Sequence, residues 1–241
     1  MKAKIHELEK FRDQRHLFAD RVEAGDTLAA MLQTEYGHND DGMILAIPSG
    51  GVPVGIKISD ILGLPFDLLI VRKLQIPGNP EAGFGAMTLA GTVLLNENLL
   101  AQLRLTPAQI KAEKKRVGLE LEKRNKMLRA ERPFPDLNAK RVILVDDGLA
   151  SGFTMLAAID MTKKANAQET VVAVPTAPQR SVDHIISEVD NIFCPNIRTA
   201  PFFAVAEAYR NWYDLSEKEV VEFLQRPDLT VQCRATISGK S

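Results

Sequence analysis

Two adjacent carboxylates at the end of an apolar run are the strongest chemical signal in the chain. The stretch from Arg141 to Met155 reads RVILVDDGLASGFTM. Val142 to Val145 has the apolar, β-branched character of a strand, and it ends in Asp146 and Asp147. A loop of small residues follows, Gly148-Leu-Ala-Ser-Gly-Phe-Thr154, and then a predicted helix. The carboxyl end of a parallel strand is where open α/β sheets take ligands. A turn of small residues entering a helix presents backbone N–H groups and the positive end of the helix dipole, which suits a phosphate. The hydroxyls of Ser151 and Thr154 can add hydrogen bonds. Two acids do not belong against that same phosphate. Ribose hydroxyls or a hydrated Mg²⁺ are their natural partners.

Other chemistry-bearing patterns fail on spacing. Gly50 to Gly55 has the span of a Walker loop, but Ile56 stands where the lysine is needed and Lys57 comes one residue late. Gly83-Phe-Gly85 begins a dinucleotide fingerprint, but Thr88 occupies the third glycine position. His6, His16, His38 and His184 are scattered without zinc-ligand spacing, and Cys194 and Cys233 cannot build a disulfide framework.

The elements that must position the acids follow from periodicity and punctuation. Met43 to Ile47 is a short apolar run ending in Pro-Ser-Gly-Gly, and Val54 to Leu62 predicts a helix stopped by Gly63-Leu-Pro65. Phe66 to Val71 is a further apolar run, and Met87 to Leu95 predicts a hairpin joined at Ala90-Gly91. Thr106-Pro107 opens a long charged helix to about Ala130, with Val117, Leu121 and Leu128 as its apolar stripe. Beyond it, Val142–Val145, Phe153–Lys164, Thr170–Val174, Ser181–Glu188 and Asn191–Cys194 alternate strand and helix, which implies a parallel sheet covered on both faces. Ser216 to Glu219 forms a capping box for a last short helix. At the other end, Ile5, Leu8, Phe11 and Phe18 predict a helix, with Asp26-Thr27 as the cap of a second one.

Composition sets the frame. The 241 residues carry 30 Lys+Arg against 31 Asp+Glu, a net charge of −1, with 45% hydrophobic and 25% charged residues. That is ordinary globular composition, neither disordered nor globally basic. The charged N-terminus has no signal-peptide apolar core and no run approaches a membrane span, so the expected setting is soluble and cytoplasmic. Lys111, Lys114, Lys115, Arg116, Lys123, Arg124, Lys126 and Arg129 form the basic stretch that a nucleic-acid binder would use. Interleaved Glu113, Glu120 and Glu122 favour a solvated helix face instead.

The segment VILVDDGLASGFT resembles the 5-phosphoribosyl 1-pyrophosphate (PRPP) signature of type I phosphoribosyltransferases. The resemblance implies one domain, a doubly wound parallel sheet over about residues 40–200. It adds a small hood from about 1–36 and 200–225, a helical insertion at about 107–130, and a loose tail at 227–241. It also implies Mg²⁺-dependent transfer of ribose 5-phosphate from PRPP to a nitrogenous base, with release of pyrophosphate, in a homodimer. By that match Asp146 and Asp147 hold the ribose hydroxyls, and the metal through water or those hydroxyls. Ala150, Ser151, Gly152, Phe153 and Thr154 would hold the 5-phosphate. Ser49, Gly50 and Gly51 fall where the family binds pyrophosphate, and both glycines allow close approach and positive φ. Arg72 and Lys73 would neutralise pyrophosphate charge, with Gln75 to Gly85 as a lid that excludes water.

A narrower resemblance runs over about residues 11–225. Phe11-Arg-Asp13 with Arg15, Pro48-x-Gly-Gly51, Arg72-Lys-Leu74, Gly78-Asn-Pro-Glu81, Asp146-Asp-Gly148, and Phe203-Ala-Val205 with Tyr209 resemble a bacterial and archaeal group described only provisionally as phosphoribosyltransferases. The chain departs from it at Ser49, where that group leads one to expect arginine, a bidentate phosphate binder. Ser49 therefore keeps open a second reading, a PRPP-binding regulatory protein with weak catalysis. Ala150 stands where hypoxanthine-guanine enzymes of the superfamily carry an acid, which argues against a 6-oxopurine acceptor. Glu81 is the candidate general acid/base. Of the aromatics Phe202, Phe203, Tyr209, Trp212 and Tyr213, Phe202 and Phe203 are the candidates for stacking on the base.

Overall fold

A computed structural model describes residues 3–37 and 41–226. The strands are β1 (Lys4–His6), β2 (Gly42–Ala46), β3 (Phe66–Leu68), β4 (Val71–Ile76), β5 (Asn79–Thr88), β6 (Val93–Leu95), β7 (Arg141–Val145), β8 (Glu169–Ala173), β9 (Thr176–Pro178), β10 (Asn191–Phe193) and β11 (Asn196–Arg198). The helices are α1 (Arg21–Tyr36), α2 (Gly51–Leu62), α3 (Glu97–Leu103), α4 (Pro107–Arg129), α5 (Phe153–Lys164), α6 (Gln179–Ile185) and α7 (Glu217–Leu224).

Six strands form one parallel sheet in the order β1-β10-β8-β7-β2-β3. Alternate residues feed two cores. Ile143 and Val145 of β7 face α1 and α2, while Val142 and Leu144 face α5 and α6. A strand buried on both faces reads as a continuous apolar run, as Val142 to Val145 does. The doubly wound parallel architecture is thus as expected. β9 and β11 form a small parallel pair beyond the ends of β8 and β10. A separate antiparallel sheet, β4-β5-β6, contains the expected hairpin, turning at Gly91 with φ +83°. The expected lid, Gln75 to Gly85, lies at the β4–β5 turn, where Gly78 has φ +81°.

The N-terminus differs from expectation. Residues 4–6 are an edge strand paired with β10, not a helix. His6 stacks on Phe193 with ring centroids 4.1 Å apart, so long-range pairing outweighs local helical spacing. Helix α1 is capped by Asp20, whose Oδ1 accepts from the N–H groups of Val22 and Glu23, rather than by Asp26-Thr27. Phe18, just before α1, and Ala24 within it pack against Ala208 and Tyr209, which follow β11.

Helix α4 starts as predicted, with Thr106 and Gln109 in a capping box and Pro107 at the first position. Its basic face is only partly solvated. Arg124 and Arg129 are buried beside Val117, Leu121 and Leu128. Arg129 forks onto Asp67 of β3 through Nε and Nη2 at 2.9 and 2.8 Å, and donates to the carbonyls of Arg132 and Pro133.

Candidate functional site

Strands β2 and β7 lie side by side, Ala46 opposite Val145. From β2 the chain leaves through α2 toward β3, and from β7 it leaves through α5 toward β8, in the opposite direction. This is a topological switch point, where doubly wound sheets open a ligand crevice at their carboxyl ends. Asp146 and Asp147 follow one strand end, and Ile47-Pro-Ser-Gly50 follows the other, with the Pro48–Ser49 peptide cis.

The two loops touch. A Cβ on Gly50 would lie 1.9 Å from Asp147 Oδ2, and one on Gly51 would lie 2.6 Å from the Val145 carbonyl oxygen. Neither glycine has positive φ; Gly50 sits at −63°. Close approach, not left-handed backbone, is what requires glycine here. Gly50→Ala is expected to push Asp147 off its partner and destabilise the chain by roughly 1–3 kcal/mol. Urea denaturation checks this, and wild-type stability would show that the contact yields at no cost.

The acids are not the exposed pair that a strand end suggests. Asp147 accepts from Arg21 Nε at 2.8 Å, with the two side chains 13% and 8% exposed. Arg21 also donates to the Tyr213 carbonyl at 3.0 Å and lies over the Trp212 ring, 4.1 Å from its centroid. The Tyr209 hydroxyl donates to the Asp147 carbonyl at 2.6 Å. Tyr209, Trp212 and Tyr213 are thereby committed to holding the acid loop against the hood. Asp146 Oδ1 accepts from the Asp147 N–H at 2.9 Å. Burial, reinforced by the charge of Asp147, pushes the Asp146 carboxyl well above the usual carboxylate range. Burial also raises Asp147, while Arg21 opposes the rise.

The small-residue loop after Asp147 is held from behind. Leu149 N–H donates to the Thr176 carbonyl at 2.9 Å, and the Ser181 hydroxyl donates to the Ala150 carbonyl. Gly152, at φ +84°, caps α5 without a side-chain hydrogen bond, and Gly50 caps α2 in the same way. By contrast α1, α3, α4 and α7 are capped by Asp20, Asn96, Thr106 and Ser216. Neither helix that starts at the switch point has a side-chain cap, a feature α6 shares, and in α2 the Gly51 and Val52 N–H groups donate instead to the Ile47 and Ser49 carbonyls. Phe153 packs edge-on against His184 at 5.5 Å, so its backbone is what faces the loop. Ala150 and Ser151 line an open cleft of about 350 Å³ with Arg180, Ser181, His184 and Phe203. Phe202, 85% exposed, is not among its lining residues.

Arg72 of β4 lies 3.5 Å from Glu120 of α4, and the stem of Lys73 crosses Gly83, where a Cβ would meet it at 2.2 Å. Glu81 falls in β5, and its side chain is outside the described residues. Two site residues were not anticipated. Arg21 stands 126 positions from Asp147, and no local signal links them. Arg124, a hydrogen-bond donor to Ser49, did carry one: it fills the i, i+4, i+7 gap between Val117, Leu121 and Leu128.

Residues 19–212 match the phosphoribosyl transferase domain. Two Mycobacterium tuberculosis proteins provisionally named phosphoribosyl transferase, from strains CDC 1551/Oshkosh and ATCC 25618/H37Rv, are each 36% identical over 210 residues, 87% of this chain and 47% of theirs. The chain spans about half the length of these curated relatives. The crystal structure of TT1426 from Thermus thermophilus is 30% identical, with a TM-score of 0.71, covering 86% of this chain and 97% of that one. Among the described residues no helix is long and apolar enough to cross a membrane. With its doubly wound sheet and its match over most of its length, the chain belongs to the phosphoribosyl transferase family.

Proposed function

We propose that the chain transfers ribose 5-phosphate from PRPP to a nitrogenous base and releases pyrophosphate, with Mg²⁺ as cofactor. The observation that supports this most is that α2 and α5, neither with a side-chain cap, both start beside Asp146 and Asp147 at the switch point. Two anion sites separated by two carboxylates match a sugar that carries a phosphate at one end and a pyrophosphate at the other.

In this reading the backbone of Ala150 to Thr154 and the hydroxyls of Ser151 and Thr154 bind the 5-phosphate. Ser49, Gly50 and Gly51 bind the pyrophosphate, with Arg72 and Lys73 adding positive charge. Asp146 and Asp147 accept hydrogen bonds from the ribose hydroxyls. Among the described residues no cluster of three or more acids, histidines or cysteines could cage a metal, so a metal here depends on these two carboxylates together with substrate oxygens and water. That donor set fits Mg²⁺, which would offset charge on the departing pyrophosphate. The bond from the anomeric carbon to the pyrophosphate oxygen breaks as a bond to a base nitrogen forms, and preorganised cations stabilise the leaving charge. In this reading the β4–β5 turn is the lid that shields the sugar from water. Phe203 offers the acceptor a stacking face, and Glu81 is the proton-transfer candidate. Ala150 cannot move a proton, which argues against a 6-oxopurine acceptor.

The deciding assay is pyrophosphate release from PRPP and Mg²⁺ with a panel of purine and pyrimidine bases. Base-dependent release is the expected result. PRPP binding without release would favour the regulatory reading that Ser49 suggests. Ala150→Asp is expected to give no hypoxanthine turnover, because Phe203 and the hood are unchanged; measurable turnover with hypoxanthine would contradict this.

A further inference from the structure

Position 49 of the loop after β2 is serine, but the structure brings a guanidinium to it from another element. Arg124 of α4 donates from Nη2 to Ser49 Oγ at 3.2 Å. Its side chain is nine-tenths buried, at 9% exposure. Its Nε has no hydrogen-bond partner. The carboxylate of Glu217, 3.7 Å from that nitrogen, is itself 43% exposed. Glu120 also acts on Arg124, but it lies against Arg116 and Arg72. Burial, and then the neighbouring charge of Arg72, pull the pKa of Arg124 below the ordinary arginine value.

A buried guanidinium with no hydrogen-bonded carboxylate, set beside a second cation, carries a charge that its own surroundings do not compensate. An anion resolves it. Helix α2, which has no side-chain cap, begins two residues after Ser49, so the loop that Arg124 contacts leads directly into the positive end of a helix dipole. We infer that Arg124, from the helical insertion, binds the pyrophosphate group of PRPP and supplies the guanidinium that position 49 lacks. This deepens, and rests on, the PRPP reading above. Ser49 then acts as a positioning residue that holds Arg124 Nη2, and the insertion helix is part of the substrate site rather than a peripheral addition. Arginine suits the task because its planar fork matches two phosphate oxygens.

The test is titration calorimetry on the full chain with Mg²⁺ and, separately, PRPP, inorganic pyrophosphate and ribose 5-phosphate. Arg124→Gln is expected to weaken PRPP and pyrophosphate by about 10- to 100-fold and to leave ribose 5-phosphate within about 2-fold. Arg124→Lys, which keeps the stem and a point charge, should lose about 3- to 10-fold for PRPP and pyrophosphate and nothing for ribose 5-phosphate. Unchanged pyrophosphate affinity in Arg124→Gln would overturn the inference, and so would an equal loss for all three ligands. Should the glutamine variant fail to fold, the lysine variant decides: a selective pyrophosphate loss supports the inference and an unchanged ratio to ribose 5-phosphate overturns it. A wild-type chain that binds none of the three ligands would remove the PRPP reading and this inference together. Wild-type binding with indifferent variants removes the inference alone.

Discussion

The double variant Asp146→Asn, Asp147→Asn is expected to lose PRPP binding by at least about 100-fold, roughly 3 kcal/mol, while the chain still folds. Neutral amides cannot replace two carboxylates toward ribose hydroxyls and a divalent cation. Folding survives because each asparagine keeps an oxygen for the bonds these acids accept, from the Asp147 N–H and from Arg21 Nε. Calorimetry with PRPP gives the first number and thermal melting the second; wild-type PRPP affinity would refute the role of the acids.

The single variants should separate, because the pair is asymmetric. The Asp146 carboxyl is raised above its unfolded value by burial and by Asp147. A raised acid contributes stability that is complete below the unfolded pKa, about 3.9, and is lost as pH climbs through the folded value. At pH 7, well above the unfolded value, the Asp146 carboxyl therefore works against the fold. Asp146→Asn should melt higher than wild type at pH 7, by roughly 1 kcal/mol of stability, and converge with it near pH 4. Asp147→Asn should gain less than Asp146→Asn, because Arg21 offsets much of the burial cost of the Asp147 charge. An Asp146→Asn chain less stable than wild type at pH 7 would contradict the burial argument. The same asymmetry implies that binding of a divalent cation with PRPP weakens as pH falls, since protonated Asp146 competes with it.

Arg129→Met is expected to cost about 3–5 kcal/mol, the largest stability loss of any single change considered. Asp67 is 8% exposed, and its carboxylate oxygens otherwise have the Leu68 N–H at 2.7 Å. Removing the guanidinium leaves a buried charge without its counter-ion and frees the C-terminal end of α4 from β3. Arg129→Met with Asp67→Leu should recover most of the loss, because replacing a whole buried pair by apolar groups is often near neutral. Urea denaturation of the two variants checks this. A double variant as unstable as the single one would show that the pair is worth more than relief of an uncompensated charge.

Which parts of the molecule could be read from the residues follows from the range of the forces involved. Helix α5 runs from Phe153 to Lys164, as its spacing implies, and α4 and α7 open at Thr106 and Ser216 because capping boxes close within four residues. Strand β7 is legible because burial on both faces writes itself as consecutive valine, isoleucine and leucine. The acids, the small-residue loop and the helix after them are one local unit, so that arrangement is legible before any fold is known. Strand β1 was not legible: its pairing partner Ile192 lies far along the chain from Ile5, and three residues carry no periodicity of their own.

The amino-acid sequence by itself therefore determined the sheet class, the two glycine-bearing loops and the acid pair, because each depends on neighbours within a turn or two. Tertiary structure alone decided which charges meet those loops. Arg21 reaches Asp147 from the start of α1, and Arg124 reaches Ser49 from α4. A guanidinium on a long side chain is placed by the packing of its whole element, and that packing is set by the sheet order and the buried stripe of α4 rather than by nearby residues.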